Sequence, residues 1–298
     1  MQTPHISVLL NEVLQLLDPK PEGFFIDGTT DGGGHAAAVI ERIGEKGMFL
    51  GLDWDKGMVE RLKETFSGKK GKIMLEYSNY AEVKEVMERL GLPKADGLLL
   101  DLGFSSTQLE QERGMSFQKD ELLDMRYDLT GDLPTAADVV NGLTEEELAN
   151  VIFQYGEERM SRRIAKRIVE ERKRKRITTT KELADAVVGA VGRGYEKGRI
   201  HPATRVFQAL RIYVNKELEN LEKILSECDA IIKPGGRIAI ISFHSLEDRI
   251  VKTRFREMEK TKKGRILTKK PIIATEEEIR QNPRSRSAKL RGFEIASN

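Results

Sequence analysis

Short apolar runs alternate with amphipathic stretches through the first hundred residues, and this alternation constrains the fold more than any other feature. The stretches carry apolar residues at helical spacing, as in HAAAVIERI and YAEVKEVMERLG. The apolar runs are bounded by turn residues and indicate buried strands within GFFIDG, GMFLGLD, KIMLEY and ADGLLLDLG. The pattern predicts an α/β fold, in which a parallel sheet is covered by helices on both faces.

The alternation stops after Asp101 and resumes only near Val206, where apolar residues again recur at helical spacing as far as Ile232. PGGRIAIISF then indicates a fifth buried strand. We therefore expect one sheet domain formed by residues 1–108 and 206–298, interrupted by an inserted domain at residues 109–205.

The insertion is predicted to be helical. Thr144 with Glu147, and Thr179 with Glu182, match the capping box that satisfies free amides at a helix start. A third segment, residues 159–176, places basic side chains around most of a helix, which predicts a mostly exposed helix. The inserted domain is thus expected to be a small all-α subdomain.

Charge is distributed unevenly, although the formal net charge is only +2. Residues 1–150 contain 15 Lys and Arg against 28 Asp and Glu, whereas residues 151–298 contain 35 against 20. Much of the basic excess lies in residues 159–176 and between Lys252 and Arg291. This asymmetry favours a polyanionic partner for the second half. The alternative is that these charges only solvate helix faces.

Several classes of protein are disfavoured. Cys228 is the single cysteine, so neither an internal disulfide nor a cysteine-rich zinc site is expected, and we predict no metal. The sequence has no basic leader and no run of 18 apolar residues, which argues against export and membrane insertion. A cytoplasmic protein is expected.

The segment from Asp27 to His35, DGTTDGGGH, follows the first predicted strand, and Asp53 ends the second. Ligands of open α/β sheets bind at the carboxyl ends of the strands. Glycines there allow close approach of the backbone, and a carboxylate 26 residues after Asp27 suits the hydroxyls of a ribose. Together these features predict a nucleotide of the adenosine type.

Two carboxylates in this loop, Asp27 and Asp31, favour a cationic ligand because they would repel a pyrophosphate. The dinucleotide pattern G-x-G-x-x-G and the Walker pattern are both absent from the loop. S-adenosylmethionine, which carries a sulfonium and an ammonium, is therefore preferred over NAD. The alternative is structural: Asp27 caps a turn, Asp53 is an ordinary strand-end carboxylate, and the glycines serve packing.

The fourth predicted strand leads into DLGFSSTQL at residues 101–109. Further distinctive blocks are GGGH (32–35), RGMSF (113–117), LDMR (123–126), HPATR (201–205), FQALR (207–211), SFHSLEDR (242–249) and NPRSRSAKLR (282–291). In these blocks, which span nearly the whole chain, the sequence resembles the RsmH (MraW) family of bacterial 16S ribosomal RNA cytosine-N4 methyltransferases. It departs from the family at Thr107, Met115 and Glu121-Leu122, where proline, phenylalanine and Gly-Pro are usual.

The resemblance implies a class I methyltransferase sheet, Rossmann-like and dependent on S-adenosylmethionine, with a helical substrate-recognition insertion. The implied substrate is a cytidine near the decoding centre of 16S rRNA in the small ribosomal subunit. The family's donor-binding motifs match Gly33, Gly34, His35, Asp53, Tyr80, Asp101 and Gln108.

Methylation of an exocyclic amine needs an acceptor for the amine protons, because the nitrogen lone pair is delocalised into the ring. Asp101 is the leading candidate, and the alternative is that it only holds the donor. Phe104 is a candidate to stack on an extruded cytosine, or else packs in the core, and Ser105 is a candidate to bond either the base edge or the donor carboxylate. Candidate contacts to RNA phosphates are Arg172, Lys173, Arg174, Arg284 and Arg286.

Three other functions remain as alternatives. A nicotinamide oxidoreductase is disfavoured by the glycine loop. An RNA-binding assembly protein with a vestigial donor pocket, and an amine methyltransferase acting on DNA, would share the predicted sheet. The sequence leaves the oligomeric state open between monomer and homodimer.

Overall fold

The computed structural model describes residues 7–103, 113–195 and 200–297. Within these ranges the chain forms seven strands, and no helix there combines the length and apolarity needed to cross a membrane. The strands are β1 Phe24–Asp27, β2 Met48–Asp53, β3 Lys72–Tyr77, β4 Ala95–Asp101, β5 Ile232–Ser242, β6 Gly264–Ile266 and β7 Lys289–Ile295. The helices are α1 Leu10–Leu17, α2 Gly34–Ile43, α3 Lys56–Phe66, α4 Val83–Arg89, α5 Ala136–Gly142, α6 Glu145–Gly156, α7 Ser161–Arg174, α8 Thr180–Val191, α9 Thr204–Asn215, α10 Glu217–Ile231, α11 Ser245–Lys260 and α12 Glu276–Gln281.

The chain divides into two compact units, of which the first is Met1–Gly103 with Leu218–Asn298 and the second is Phe104–Glu217. The sequence-based boundary after residue 205 differs from this division because α9 belongs to the helical unit. Val206, Phe207 and Leu210 of α9 are buried in that unit's apolar core. The apolar spacing that continued from Val206 to Ile232 is divided by Lys216, whose φ of 51° ends α9.

The first unit is built on a sheet with the strand order β3-β2-β1-β4-β5-β7-β6. Strands β1 to β5 are parallel to one another, whereas β7 runs antiparallel to both β5 and β6. The five predicted strands are confirmed, and β6 and β7 were not predicted. Successive residues of β4 face opposite sides: Leu98 and Leu100 pack in one core cluster and Leu99 in the other. Both faces of the sheet are therefore covered, as an α/β fold requires.

The second unit is helical in its described residues, as expected of the insertion. Capping boxes begin α6 at Thr144 and α8 at Thr179, which confirms both predictions, and a further box begins α5 at Thr135. The basic helix α7 differs from the expectation of a mostly exposed helix, because Ile164 and Ile168 on one side are fully buried. Its basic side chains therefore occupy the remaining faces rather than the whole circumference.

Candidate functional site

Three carboxylates end neighbouring strands of the first unit. Asp27 ends β1, Asp53 ends β2 and Asp101 ends β4, and β1 lies between the other two strands in the sheet. Because these strands are parallel, their carboxyl ends lie at the same edge of the sheet. In the sheet, β2 and β3 lie on one side of β1, whereas β4 and β5 lie on the other. The carboxyl ends of β1 and β4 therefore mark the topological switch point, where ligands of such sheets bind.

The loop after β1 is tied to both neighbouring strands. The Thr30 amide donates to the carbonyl of Leu52 at 2.9 Å, and the Asp101 amide donates to Thr29 Oγ1 at 2.7 Å. Gly33 has a φ of 79°, and a Cβ built there would lie 2.8 Å from Leu62 Cδ2. Gly33 is therefore required both by the left-handed backbone and by the close packing of the loop.

Gly34 begins α2 under the N-terminal segment of the described chain. A Cβ on Gly34 would collide with Ser7 Oγ, so a larger residue there would require the Ser7 side chain to move. The segment is also held by the amide of Leu9, which donates to Glu278 Oε1 at 2.7 Å. Ser7, Leu9 and Glu278 were not selected from the sequence, and no motif there signals a contact between positions 269 residues apart.

Asp53 is anchored by the backbone of the glycine loop. Its Oδ2 accepts a hydrogen bond from the Asp31 amide at 2.8 Å, and its Oδ1 accepts one from the Asp55 amide at 2.8 Å. Burial, followed by the charge of Asp31, raises the pKa of Asp53 to about 7. Each carboxylate oxygen has a further lone pair, so Asp53 can still accept hydrogen bonds from ligand hydroxyls.

Asp27 lies deeper, with 2% of its surface exposed. Burial raises its pKa to about 8, and the charges of Asp101, Asp53 and Asp31 act in the same direction. The amide of Thr29 donates to its Oδ1 at 3.1 Å. Carboxyl groups that resist ionisation because of burial and mutual repulsion ionise more readily beside a cation. The strand ends thus form a site suited to a positively charged ligand.

His35 and Asp101 face each other on α2 and β4. His35 is 6% exposed, and its Nε2 lies 3.0 Å from the carbonyl oxygen of Val8. Because a carbonyl oxygen only accepts, Nε2 carries the proton in this contact. Nδ1 of the ring lies 3.8 Å from Asp101 Oδ2, and Asp101 Oδ1 accepts a hydrogen bond from the Gly103 amide at 3.3 Å.

Tyr80 lies in a 3-10 helix, Tyr80–Glu82, that follows β3 and packs against the sheet core. A Cβ added to Gly28 would lie 2.9 Å from the Cβ of Tyr80, so this glycine admits the tyrosine beside the loop. Asn79 fixes the start of the turn, since its Oδ1 accepts a hydrogen bond from the Ala81 amide at 2.9 Å. Tyr80 therefore lies next to the loop that carries Asp27.

Three sequence-predicted residues lie outside the described residues: Phe104, Ser105 and Gln108. The basic candidates are described. Arg172 uses its guanidinium within the helical unit, donating to the carbonyls of Val140 and Leu143 at 2.6 Å each. These carbonyls lie at the end of α5, so Arg172 caps that helix.

The remaining basic candidates are accessible. Lys173 is exposed, and Arg174 is exposed and lies 3.7 Å from Glu171 Oε1. Arg284 and Arg286 are exposed on the 3-10 helix Pro283–Ser287 of the first unit. Of the five predicted phosphate contacts, Arg172 therefore binds within the protein, whereas the other four side chains are accessible.

Comparisons with known proteins agree with the sequence blocks. The sequence model of the MraW methylase family matches residues 2–296. The chain is 44% identical over 310 residues to ribosomal RNA small subunit methyltransferase H of Clostridioides difficile, covering 98% of each protein. It is 47% identical over 305 residues to the protein of that name from Syntrophotalea carbinolica, covering 97% of each.

Solved structures resemble the chain more distantly. A putative rRNA methylase from Clostridium thermocellum has a TM-score of 0.43 and 12% identity, over 97% of this chain and 98% of that one. Similarity at this level is not evidence about function. The family match and the curated relatives are such evidence, since they cover nearly the whole sequence. The chain belongs to the MraW methylase family, and the expected class I methyltransferase fold and S-adenosylmethionine as methyl donor are confirmed with it.

Proposed function

We propose that this protein methylates the exocyclic N4 amine of a cytidine near the decoding centre of 16S rRNA, in the small ribosomal subunit and in the cytoplasm. The observation that carries the proposal is the convergence of Asp27, Asp53 and Asp101 around the glycine loop at one edge of the sheet. The relatives' name, ribosomal RNA small subunit methyltransferase H, supports the choice of RNA.

The chemistry of the strand ends fits S-adenosylmethionine. Asp53 would accept the ribose hydroxyls, while Gly33 and Gly34 would bring the loop backbone to the donor. The pKa values of Asp27 and Asp53 are raised by burial, so a cationic ligand is favoured there over an anionic one. When bound, the donor would supply the methyl group from its positively charged sulfur, and the electron pair of the broken sulfur–methyl bond would stay on that sulfur, which becomes neutral. Tyr80 and Gln108 remain proposed donor contacts on sequence grounds.

Asp101 is the proposed proton acceptor. Its carboxylate would accept a hydrogen bond from the N4 amine, which favours a pyramidal nitrogen whose lone pair is free to attack. As the new N–C bond forms, one amine proton passes to Asp101 Oδ2. Nδ1 of the His35 ring lies 3.8 Å from that oxygen. Positioning of amine and donor supplies much of the acceleration.

The competing role for Asp101 is to hold the donor alone. Asp101→Asn keeps the shape and an oxygen for the Gly103 amide but removes the proton acceptor. A fall of turnover at saturating donor by a hundredfold or more, with donor affinity within a few-fold, supports the acceptor role. Lost donor affinity with unchanged saturated turnover contradicts it.

Contacts to the RNA are proposed from the sequence and the accessible surface. Phe104 would stack on the extruded base and Ser105 would bond its edge. Lys173 and Arg174 of the helical unit would contact phosphates. Arg284 and Arg286 would do the same on the first unit. Arg172 is excluded from this set, because its guanidinium is used within the protein.

The reaction is tested by transfer of labelled methyl groups to three substrates in parallel: assembled small subunits, free 16S rRNA and DNA. Nucleoside analysis of the product should show N4-methylcytidine in small-subunit RNA. Label in DNA alone would indicate the DNA amine methyltransferase. Donor binding without transfer to any of the three would favour the assembly protein with a vestigial pocket.

A further inference from the structure

A small cationic notch lies in the first unit, beside α11, the segment after β6, and β7. Its polar lining consists of Lys252, Arg256, Thr268, Lys269 and Arg291, and no carboxylate lines it. The cavity volume is about 20 Å³, enough for a single water-sized group. The notch therefore admits one oxygen atom of a ligand rather than a whole molecule.

Three of the four cations that line the notch, Lys252, Arg256 and Lys269, differ from their neighbours in having no acidic partner. Among the described residues, no carboxylate oxygen lies within 4.0 Å of the charged groups of Lys252, Arg256 or Lys269. Nearby cations are paired: Arg265 lies 2.7 Å from Glu294, and Arg254 lies 2.8 Å from Glu257. Positive charge is thus left uncompensated at this place, where mutual repulsion favours binding of an anion.

The floor of the notch is polar and fixed. Thr268 is 6% exposed, and its Oγ1 accepts a hydrogen bond from the Gly292 amide at 3.0 Å. Its own hydroxyl proton makes no hydrogen bond among the described residues, so it can be donated to a ligand. Arg291 is 7% exposed and is held by Asp248, with its Nε 2.6 Å from Oδ1 and its Nη2 3.3 Å from Oδ2.

We propose that the notch formed by Lys252, Arg256, Thr268, Lys269 and Arg291 binds a backbone phosphate of the RNA substrate. One non-bridging oxygen enters the notch and meets the Thr268 hydroxyl, while the three unpaired cations surround the rest of the phosphate. The small volume favours a phosphodiester, whose other oxygens stay outside as part of the strand, over a free anion held entirely within. This inference rests on the proposed RNA substrate.

The test compares two triple variants of the full-length protein. The notch variant is Lys252→Gln/Arg256→Gln/Lys269→Gln. The control variant is Arg61→Gln/Lys69→Gln/Lys72→Gln, which removes the same charge from α3, from β3 and from the segment between them, where β3 is the opposite edge strand of the sheet. Binding of each protein to 16S rRNA is measured without donor at several salt concentrations, and donor binding is measured separately.

The notch variant should bind RNA about 10- to 100-fold more weakly than the wild type at low salt. Its plot of log affinity against log salt should be shallower by about 2, because three cations each contribute roughly 0.7. The control should keep the wild-type slope within about 0.5. Donor affinity should be unchanged in both variants, since neither set touches the strand-end carboxylates.

Equal salt slopes for the notch variant and the control would overturn the proposal. Inorganic phosphate is the second probe: a phosphate-dependent rise in wild-type melting temperature that the notch variant loses, with its RNA slope unchanged, would identify a free-anion site instead. Lys269→Glu, a change at a single exposed residue, should alone lower the slope and provides the test if the triple variant is unstable. Failure of the proposed function is distinguishable, because it appears as absent methyl transfer by the wild type.

Discussion

Asp27→Asn should make the stability of the donor-free protein less dependent on pH. The pKa of Asp27 rises from 3.8 to about 8 on folding, mainly because of burial. A carboxyl with a raised pKa binds a proton on folding, so the folded state holds more protons than the unfolded state between these two values. The unfolding free energy of the wild type therefore falls as pH rises from about 4 to about 8.

The size of the effect follows from this single proton. A group fully protonated in the folded state and ionised in the unfolded state contributes about 1.4 kcal/mol per pH unit. Integrated from pH 6 to pH 8, with half-ionisation near pH 8, Asp27 removes ~2 kcal/mol of stability. Asparagine keeps an oxygen for the Thr29 amide, which lies 3.1 Å from Asp27 Oδ1, and abolishes the titration.

The assay is urea unfolding of the donor-free protein at pH 6 and pH 8. The wild type should lose ~2 kcal/mol more than Asp27→Asn over this interval. Glu41→Gln, at an exposed carboxylate on α2, serves as the matched control and should behave as the wild type. Equal losses in the wild type and Asp27→Asn would refute the raised pKa of Asp27.

Other substitutions test separate parts of the account. Asp53→Asn leaves one oxygen for two backbone amides, so donor affinity measured by calorimetry should fall at least tenfold, or about 1.4 kcal/mol; retained affinity would argue against Asp53 as the ribose ligand. Gly33→Ala, at a φ of 79°, should cost at least ~1 kcal/mol in urea unfolding, and no cost would mean that the loop relaxes. Arg172→Ala should destabilise the helical unit by about 2 kcal/mol in the same assay while leaving the salt slope of RNA binding unchanged; a shallower slope would return Arg172 to the RNA surface. Burial raises the pKa of Cys228 to about 12, so an aromatic disulfide reagent should label it only after unfolding, and rapid labelling of the native protein would contradict its burial.

The parallel strands were predictable because each contains a short apolar run, and three of them, β1, β2 and β4, end in aspartate. β7 was not, because its sequence KLRGFEI includes two cations and was assigned to the basic tail. Arg291 is nevertheless buried in β7, where Asp248 of α11 pairs with it. Only the packing of a helix beside the strand provides this acid, so local sequence could not reveal it. β6 has three residues, too few for a periodic signal.

The candidate site likewise contains residues that the sequence could place and residues that it could not. Asp27, Asp53 and Asp101 could be placed together from sequence because parallel strands bring their carboxyl ends to one edge. The contact between His35 and Val8 depends on where the N-terminal segment lies, which no local pattern specifies. Arg172 was assigned to RNA because a basic run has no visible partner in sequence, whereas its acceptors are backbone carbonyls 29 and 32 residues away.

Proton release on donor binding tests the central claim, that raised-pKa carboxyls at the strand ends bind a cationic donor. S-adenosylmethionine is titrated calorimetrically at pH 7 in two buffers with different ionisation enthalpies. Because the donor's positive charge favours the ionised forms of Asp27 and Asp53, the account predicts release of about one proton in the wild type and less in Asp27→Asn. Binding enthalpies equal in both buffers, meaning that no proton is exchanged, would contradict it.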